Sequence, residues 1–180
     1  FGQPFKRITM CGALQEKTGV DVLNADEATL GELAIKNGVE VTAAMGKGKL
    51  IDELFSELVQ PELIQPTFVM DFPLDTSPLV REHRTKPGVV EKWDLYVRGF
   101  ELATAYSELV DPVIQRERFV EQAKLAARGD VEAMRVDEEF LRALEHGMPP
   151  SGGMGMGMDR LLMALTGLGI RETILFPLVK

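Results

Sequence analysis

The chain has 180 residues, 45% apolar and 27% charged, with a formal net charge of −8 and one cysteine, Cys11. That length and balance suit a single globular domain with a real core, and one cysteine excludes an intramolecular disulfide and fits a reducing compartment, with Cys11 as a small buried hydrophobe. The acidic excess excludes a broad phosphate-gripping surface, so a nucleic-acid partner would touch a small part of this piece or be held by something outside it.

The first residues, Phe1-Gly2-Gln3-Pro4-Phe5, read as a chain already in progress, which predicts a fragment. No basic and apolar leader precedes the fold, so the expected location is cytoplasmic. After a short strand at residues 6–10, residues 24–37 carry capping residues Asn24 and Asp26, apolar Leu30, Leu33 and Ala34 at helical spacing, and a terminating Asn37-Gly38. Residues 49–59 repeat that pattern through Leu50, Ile51, Leu54, Phe55 and Leu58. Residues 66–72 predict a buried strand, and residues 76–88, with Ser77-Pro78 and Pro87-Gly88, a loop.

Residues 92–109 are the most strand-like part of the chain, folded back near Arg98-Gly99. Asp111-Pro112 opens a helix that runs to about Arg128-Gly129, and a second helix covers 137–145. Gly147-Met148-Pro149-Pro150 breaks it, a glycine-rich strand follows, and Asp159 opens a last helix closed by Gly167. The most apolar stretch, residues 161–170, is interrupted by Thr166, Gly167 and Gly169, so no membrane span is expected. A central hairpin among interspersed helices predicts an α+β fold: an antiparallel sheet flanked by helices, in one unit.

In Gly153-Met154-Gly155-Met156-Gly157-Met158-Asp159-Arg160 the alternation of a strand would put three methionines on one face, filling a core, and three glycines on the other. A bare glycine face calls for the close approach of a flat ligand or another backbone. Arg160 follows on the first turn of a helix that Asp159 can cap, where a guanidinium can grip phosphate oxygens. The pattern fits a nucleotide lying on a glycine floor; it fits equally a packing contact with Arg160 in a surface ion pair.

This segment with Leu161-Leu162-Met163 resembles motif 3 of the class II aminoacyl-tRNA synthetases. Further segments resemble the bacterial lysyl-tRNA synthetases: Pro4-Phe5-Lys6-Arg7, Pro66-Thr67-Phe68, Thr76-Ser77-Pro78-Leu79, Tyr106-Ser107-Glu108-Leu109, Gly147-Met148-Pro149-Pro150 and Arg171-Glu172-Thr173-Ile174-Leu175-Phe176-Pro177. The match runs in order through essentially the whole chain. It implies the C-terminal part of the catalytic domain, residues 1–180, with motifs 1 and 2 and the anticodon-binding domain lying outside it. It also implies an enzyme that uses ATP and Mg²⁺ to activate L-lysine, charges tRNA(Lys) and works as a homodimer. Arg160 would bind the terminal phosphate of ATP, and Gly153, Gly155 and Gly157 would form the floor.

On the hairpin, Asp94 and Glu101 emerge on one face as direct or diagonal cross-strand neighbours. Like charges so placed call for a cation, and carboxylate oxygens beside a nucleotide suit Mg²⁺; pairing with Arg98 or Lys92 is the plainer alternative. The family resemblance makes both magnesium ligands and adds Glu101 to the ATP site. Thr104, Tyr106 and Glu108 alternate onto one face, with Glu101 out of phase. All four can serve one site only if a bulge lies between Glu101 and Thr104.

A carboxylate at Glu108 beside the Tyr106 ring can hold an ammonium. By resemblance it holds the ε-ammonium of substrate lysine, Tyr106 walls the side chain, and Thr104 lies near the α-carboxylate. Arg81, His83, Arg84 and Lys86 form a basic run, read as a solvated loop or a phosphate contact; neither His83 nor His146 receives a catalytic role. Two other classes stay open: a relative that passes activated lysine to a protein or lipid, and a non-catalytic synthetase-like module.

Overall fold

The computed structural model describes residues 2–42, 45–127 and 134–176. Strand β1 (Lys6–Thr9) passes without a loop into helix α1 (Met10–Thr18). The Thr9 hydroxyl caps that helix, accepting from the Gly12 amide at 3.2 Å. A Cβ on Gly12 would come within 2.5 Å of the same hydroxyl, so the cap and the glycine go together. Helices α2 (Glu27–Lys36) and α3 (Lys47–Leu58) follow. Asp26 alone caps α2, by accepting from Thr29 at 2.8 Å, whereas Asn24 turns back to Asp21.

Strands β2 (Thr67–Pro73), β3 (Val89–Val97) and β4 (Phe100–Ser107) come next. Helices α4 (Pro112–Ala127) and α5 (Glu138–Glu145), strand β5 (Gly152–Met156), α6 (Met158–Thr166) and a single turn α7 (Ile170–Thr173) complete the described chain. The expected end of α4 at Arg128-Gly129 lies outside the described residues.

The five strands form one sheet in the order β1-β2-β3-β4-β5. Three neighbouring pairs are antiparallel, as expected, and β1 adds to β2 in parallel. A parallel neighbour needs a long crossover, and here that crossover carries α1, α2 and α3. These helices bury Met10, Leu14, Leu30, Leu50, Ile51, Leu54 and Phe55 against one face of the sheet, where they meet Val69 and Tyr96. Phe55 and Tyr96 pack in a tilted arrangement at 5.7 Å between ring centroids, which helps hold α3 on β3. The opposite face carries a smaller core of Leu95, Val97, Leu102 and Ala103, joined by Phe68 and Trp93 and covered by Leu161 and Ala164 of α6.

Two expectations change. The methionines do not fill a core: Met154, Met156 and Met158 are 63%, 41% and 65% exposed. Only the first two lie in β5; Met158 begins α6, which leaves the strand at once and packs over β4 instead of under the methionine side chains. Asp159 does not cap α6 either. Gly157 holds the cap position without a side-chain bond, and Asp159 sits in the first turn, where its charge suits the helix dipole. Gly167, at φ 78°, closes the helix as expected.

Candidate active site

The hairpin between β3 and β4 turns on two residues, Arg98 and Gly99, at φ 55° and 81°. Positive φ at both central positions matches the twist of tight hairpins, and Gly99 takes it without strain. From this turn the ladder runs Val97 opposite Phe100 and Tyr96 opposite Glu101, then jumps to Leu95 opposite Ala103. The extra residue is Leu102. This is the bulge that the phase of Glu101 demanded.

Leu102 and Ala103 both join the smaller core, so the chain regains alternation with Glu101 and Thr104 on the same face. Two transverse rows then cross three strands on that face: Asp94, Thr104 and Gly155, and beside it Lys92, Tyr106 and Gly153. Gly157 lies beyond β5, as the cap of α6, so the glycine floor inside the strand is Gly153 and Gly155 alone.

Asp94 is 2% exposed. Its Oδ2 lies 3.1 Å from Lys92 Nζ, which sits 4.1 Å above the centre of the Phe72 ring. Its Oδ1 is buried without a hydrogen-bond partner, and so is Thr104 Oγ1 on the facing residue. Glu101 is half-exposed, and its carboxyl titrates above the usual range, first through burial and then through the negative charge of Asp94, with Lys92 and Arg160 pulling the other way. The Arg160 guanidinium folds back toward it: Nη1 donates to the Glu101 carbonyl at 2.7 Å and stands 3.9 Å from Oε1. Gly157 leaves room for that return, because a Cβ there would lie 3.3 Å from Arg160 Cδ.

At the other end of β4, Glu108 pairs its backbone with Val80, and its amide donates to the Ser151 carbonyl at 3.0 Å. Burial raises its carboxyl, and the Tyr106 hydroxyl is raised by burial and by the Glu108 charge. Among the described residues no hydrogen bond or ion pair holds the Glu108 side chain. Glu101 and Glu108 thus mark two ends of a strip roughly 20 Å long at ordinary strand spacing. One end presents a guanidinium and carboxylates, the other an unpaired carboxylate beside a phenol.

Three residues of the basic run are paired away from the strip. Arg84 pairs with Glu91 at 3.1 Å, and Lys86 and His83 both face Asp71, a bulge residue of β2 at φ 57°. Sequence reading also missed Asp52 of α3, whose negative charge raises both Glu101 and Tyr96. Nothing in its helical spacing sets it apart from an ordinary exposed-face aspartate.

As for a metal, no group of three or more His, Cys, Asp or Glu side chains is gathered around one point among the described residues. Asp94 and Glu101 are therefore at most two protein ligands, a number that suits Mg²⁺ retaining water and phosphate oxygens. The orphaned Oδ1 of Asp94 is an available donor; its Oδ2 is already engaged by Lys92.

A family model described as tRNA synthetases class II (D, K and N) matches residues 1–180. A protein of Kineococcus radiotolerans named lysine–tRNA ligase is 63% identical over 99% of this chain and 36% of its own length. One of the same name from Mycolicibacterium gilvum is 56% identical over 98% of this chain and 36% of its own, and one from Porphyromonas gingivalis is 55% identical over 100% and 31%. The chain thus spans about a third of the length of the curated relatives it matches.

Proposed function

We infer the function from one premise: this chain belongs to the class II tRNA synthetases of the D, K and N group. Our reading is that residues 1–180 are the C-terminal portion of the catalytic domain of a lysine–tRNA ligase, with motifs 1 and 2 and the anticodon-binding domain supplied elsewhere in the intact protein. In that protein a lysine carboxylate oxygen attacks the α-phosphorus of ATP and pyrophosphate leaves. The terminal ribose of tRNA(Lys) then takes the lysyl group and AMP departs.

The observation that carries this reading is the strip itself. A bare row at Gly153 and Gly155 lies beside Thr104 and Tyr106, with Arg160 folded onto Glu101 at one end and, at the other, Glu108 unpaired among the described residues. The adenosine lies over Gly155, Arg160 receives the terminal phosphate, and Asp94 and Glu101 are the residues that would hold Mg²⁺. When bound, that ion neutralises charge on the phosphates. Glu108 receives the ε-ammonium beside the Tyr106 ring, and Thr104 Oγ1 is a free hydrogen-bonding atom for the substrate. Positioning and charge neutralisation do the catalysis, so no side-chain base is required.

The intact protein is expected to be a cytoplasmic homodimer; no helix among the described residues is long and apolar enough to cross a membrane. Lysine-dependent exchange of pyrophosphate into ATP tests the reading. The intact protein should show it and should charge tRNA(Lys), while the 180-residue piece should give only background. Exchange by the piece at the intact protein's rate would overturn the assignment of an incomplete site. Exchange without need for lysine would overturn the substrate.

A further inference from the structure

We propose that Gly153 fixes where the Glu108 carboxylate stands, and so acts as a specificity-determining position for the substrate ammonium. The proposal rests on the reading of Glu108 given above. Gly153 pairs with Tyr106 across the β4–β5 ladder, two residues before Glu108 on the same face. A Cβ built on Gly153 would lie 2.8 Å from Glu108 Oε1, well inside van der Waals contact. The same atom on Gly155 meets only Thr104 Cγ2 at 3.8 Å, and on Gly152 only the Tyr106 carbonyl at 3.5 Å, both ordinary contacts.

Backbone conformation does not account for the glycine. Gly153 is absent from the positive-φ positions, so its torsions are open to any residue. What the missing side chain leaves open is the place occupied by a carboxylate oxygen. Glu108 is anchored through its backbone, by the Ser151 and Val80 pairings, while its carboxylate has no hydrogen bond or ion pair among the described residues. Its position is therefore set by the walls around it. A methyl group at 153 meets the far end of a flexible side chain, which can swing aside with little effect on the fold. The carboxylate would then leave the spot where an ammonium must find it, and small misplacements of a positioning group weaken function steeply.

The test uses the intact protein with Gly153→Ala, Glu108→Gln, Glu108→Asp and the Gly153→Ala/Glu108→Asp pair, measuring KM for lysine and for ATP in pyrophosphate exchange, lysine binding by calorimetry, and Tm. Gly153→Ala should raise the lysine KM about tenfold or more, leave the ATP KM within about twofold and change Tm little. A shorter side chain at 108 withdraws from the added methyl, so the double variant should lose less than the product of the two single effects.

If Glu108→Gln raises the lysine KM and Gly153→Ala does not, the proposal fails while the reading of Glu108 stands. If Glu108→Gln leaves lysine binding untouched, the reading itself fails. A rise in both KM values together for Gly153→Ala would make this glycine part of the nucleotide floor and overturn the proposal. Should Gly153→Ala unfold the protein, a Gly153→Ala/Glu108→Asp pair that is equally unfolded would overturn it as well, because the shorter side chain at 108 should relieve the contact.

Discussion

Asp94 and Thr104 face each other across the β3–β4 ladder, and each keeps one buried oxygen without a hydrogen-bond partner. Leaving a buried polar atom unpaired costs about 1–3 kcal/mol, and in the reading proposed above the substrate or its metal supplies the missing partners of these two. If a divalent cation with its waters is one of them, Asp94→Asn should weaken Mn²⁺ binding to the intact protein by about tenfold or more, on the scale of losing one part of a metal site. Electron paramagnetic resonance of free Mn²⁺ reads this without catalysis. Unchanged affinity would remove Asp94 from the proposed metal site.

Lys92 is the other half of that environment. Its ammonium sits 3.1 Å from a carboxylate that is almost wholly buried, and it also covers the Phe72 ring. Removing one partner of a buried pair leaves an uncompensated charge, which destabilises by about 3–5 kcal/mol. Lys92→Met should lower stability toward the small end of that range, since the lysine side chain keeps 20% exposure. Adding Asp94→Asn to it should restore part of the loss, because the amide needs no counter-charge. Urea unfolding of the four proteins gives the coupling directly. Strictly additive losses would mean that the two side chains do not depend on each other.

The hairpin, its turn and its bulge could be read from residue order because each obeys a short-range rule. Arg98-Gly99 supplies the turn, and the opposite phase of Glu101 and Thr104 leaves one extra residue to accommodate. Helix α1 escaped because β1 runs straight into it, with Thr9 serving as both strand end and cap and Gly12 weakening its helical pattern. The partners of charges were equally hidden. Asp71 gathers Lys86 and His83 from 15 and 12 residues away through a bulge that no local pattern announces, and Asp52 reaches the strip only because α3 packs on β3. The exposed Met154 shows the same limit: alternation tells which face a side chain takes, not what covers that face.

Glu101 should make stability fall as pH rises. Burial and Asp94 lift its folded carboxyl above the ordinary 4.5, so the native state holds its proton to higher pH than the unfolded chain does. The native state then binds more protons through that window, and stability is lost as pH climbs past the unfolded value toward the folded one. Glu101→Gln should gain on the parent as pH rises from about 4 through the carboxylate range. Urea midpoints at the two ends of that range measure it, and a constant difference would show that Glu101 titrates alike in both states. Solvent screening of a side chain with 39% exposure keeps the effect small.

Cys11 should be slow to react. Burial, followed by the charge of Asp21, lifts its thiol to about 11 from 9.0, and the nucleophile in alkylation is the thiolate. At neutral pH the thiolate fraction falls by about 100-fold relative to an unperturbed cysteine. Iodoacetamide labelling at pH 7.5, followed by mass spectrometry against a cysteine-containing peptide, should show a rate lower by about that factor. Labelling at the peptide's rate would mean that α1 opens readily from the sheet.

Arg160→Lys separates charge from shape at the proposed phosphate end of the strip. Arg160 uses one guanidinium nitrogen on the Glu101 carbonyl, and its planar fork leaves other N–H groups for a phosphate. A lysine keeps the positive charge but loses the fork, so it cannot hold the strand carbonyl and present two parallel donors together. Pyrophosphate exchange by the intact Arg160→Lys protein should therefore fall about 100-fold or more, the scale of losing a preorganised electrostatic donor, with the lysine KM little changed. Arg160→Ala should be no more than modestly worse. If Arg160→Lys retains nearly full exchange, charge alone suffices there, and the return of Arg160 onto Glu101 is a packing contact rather than part of the phosphate grip.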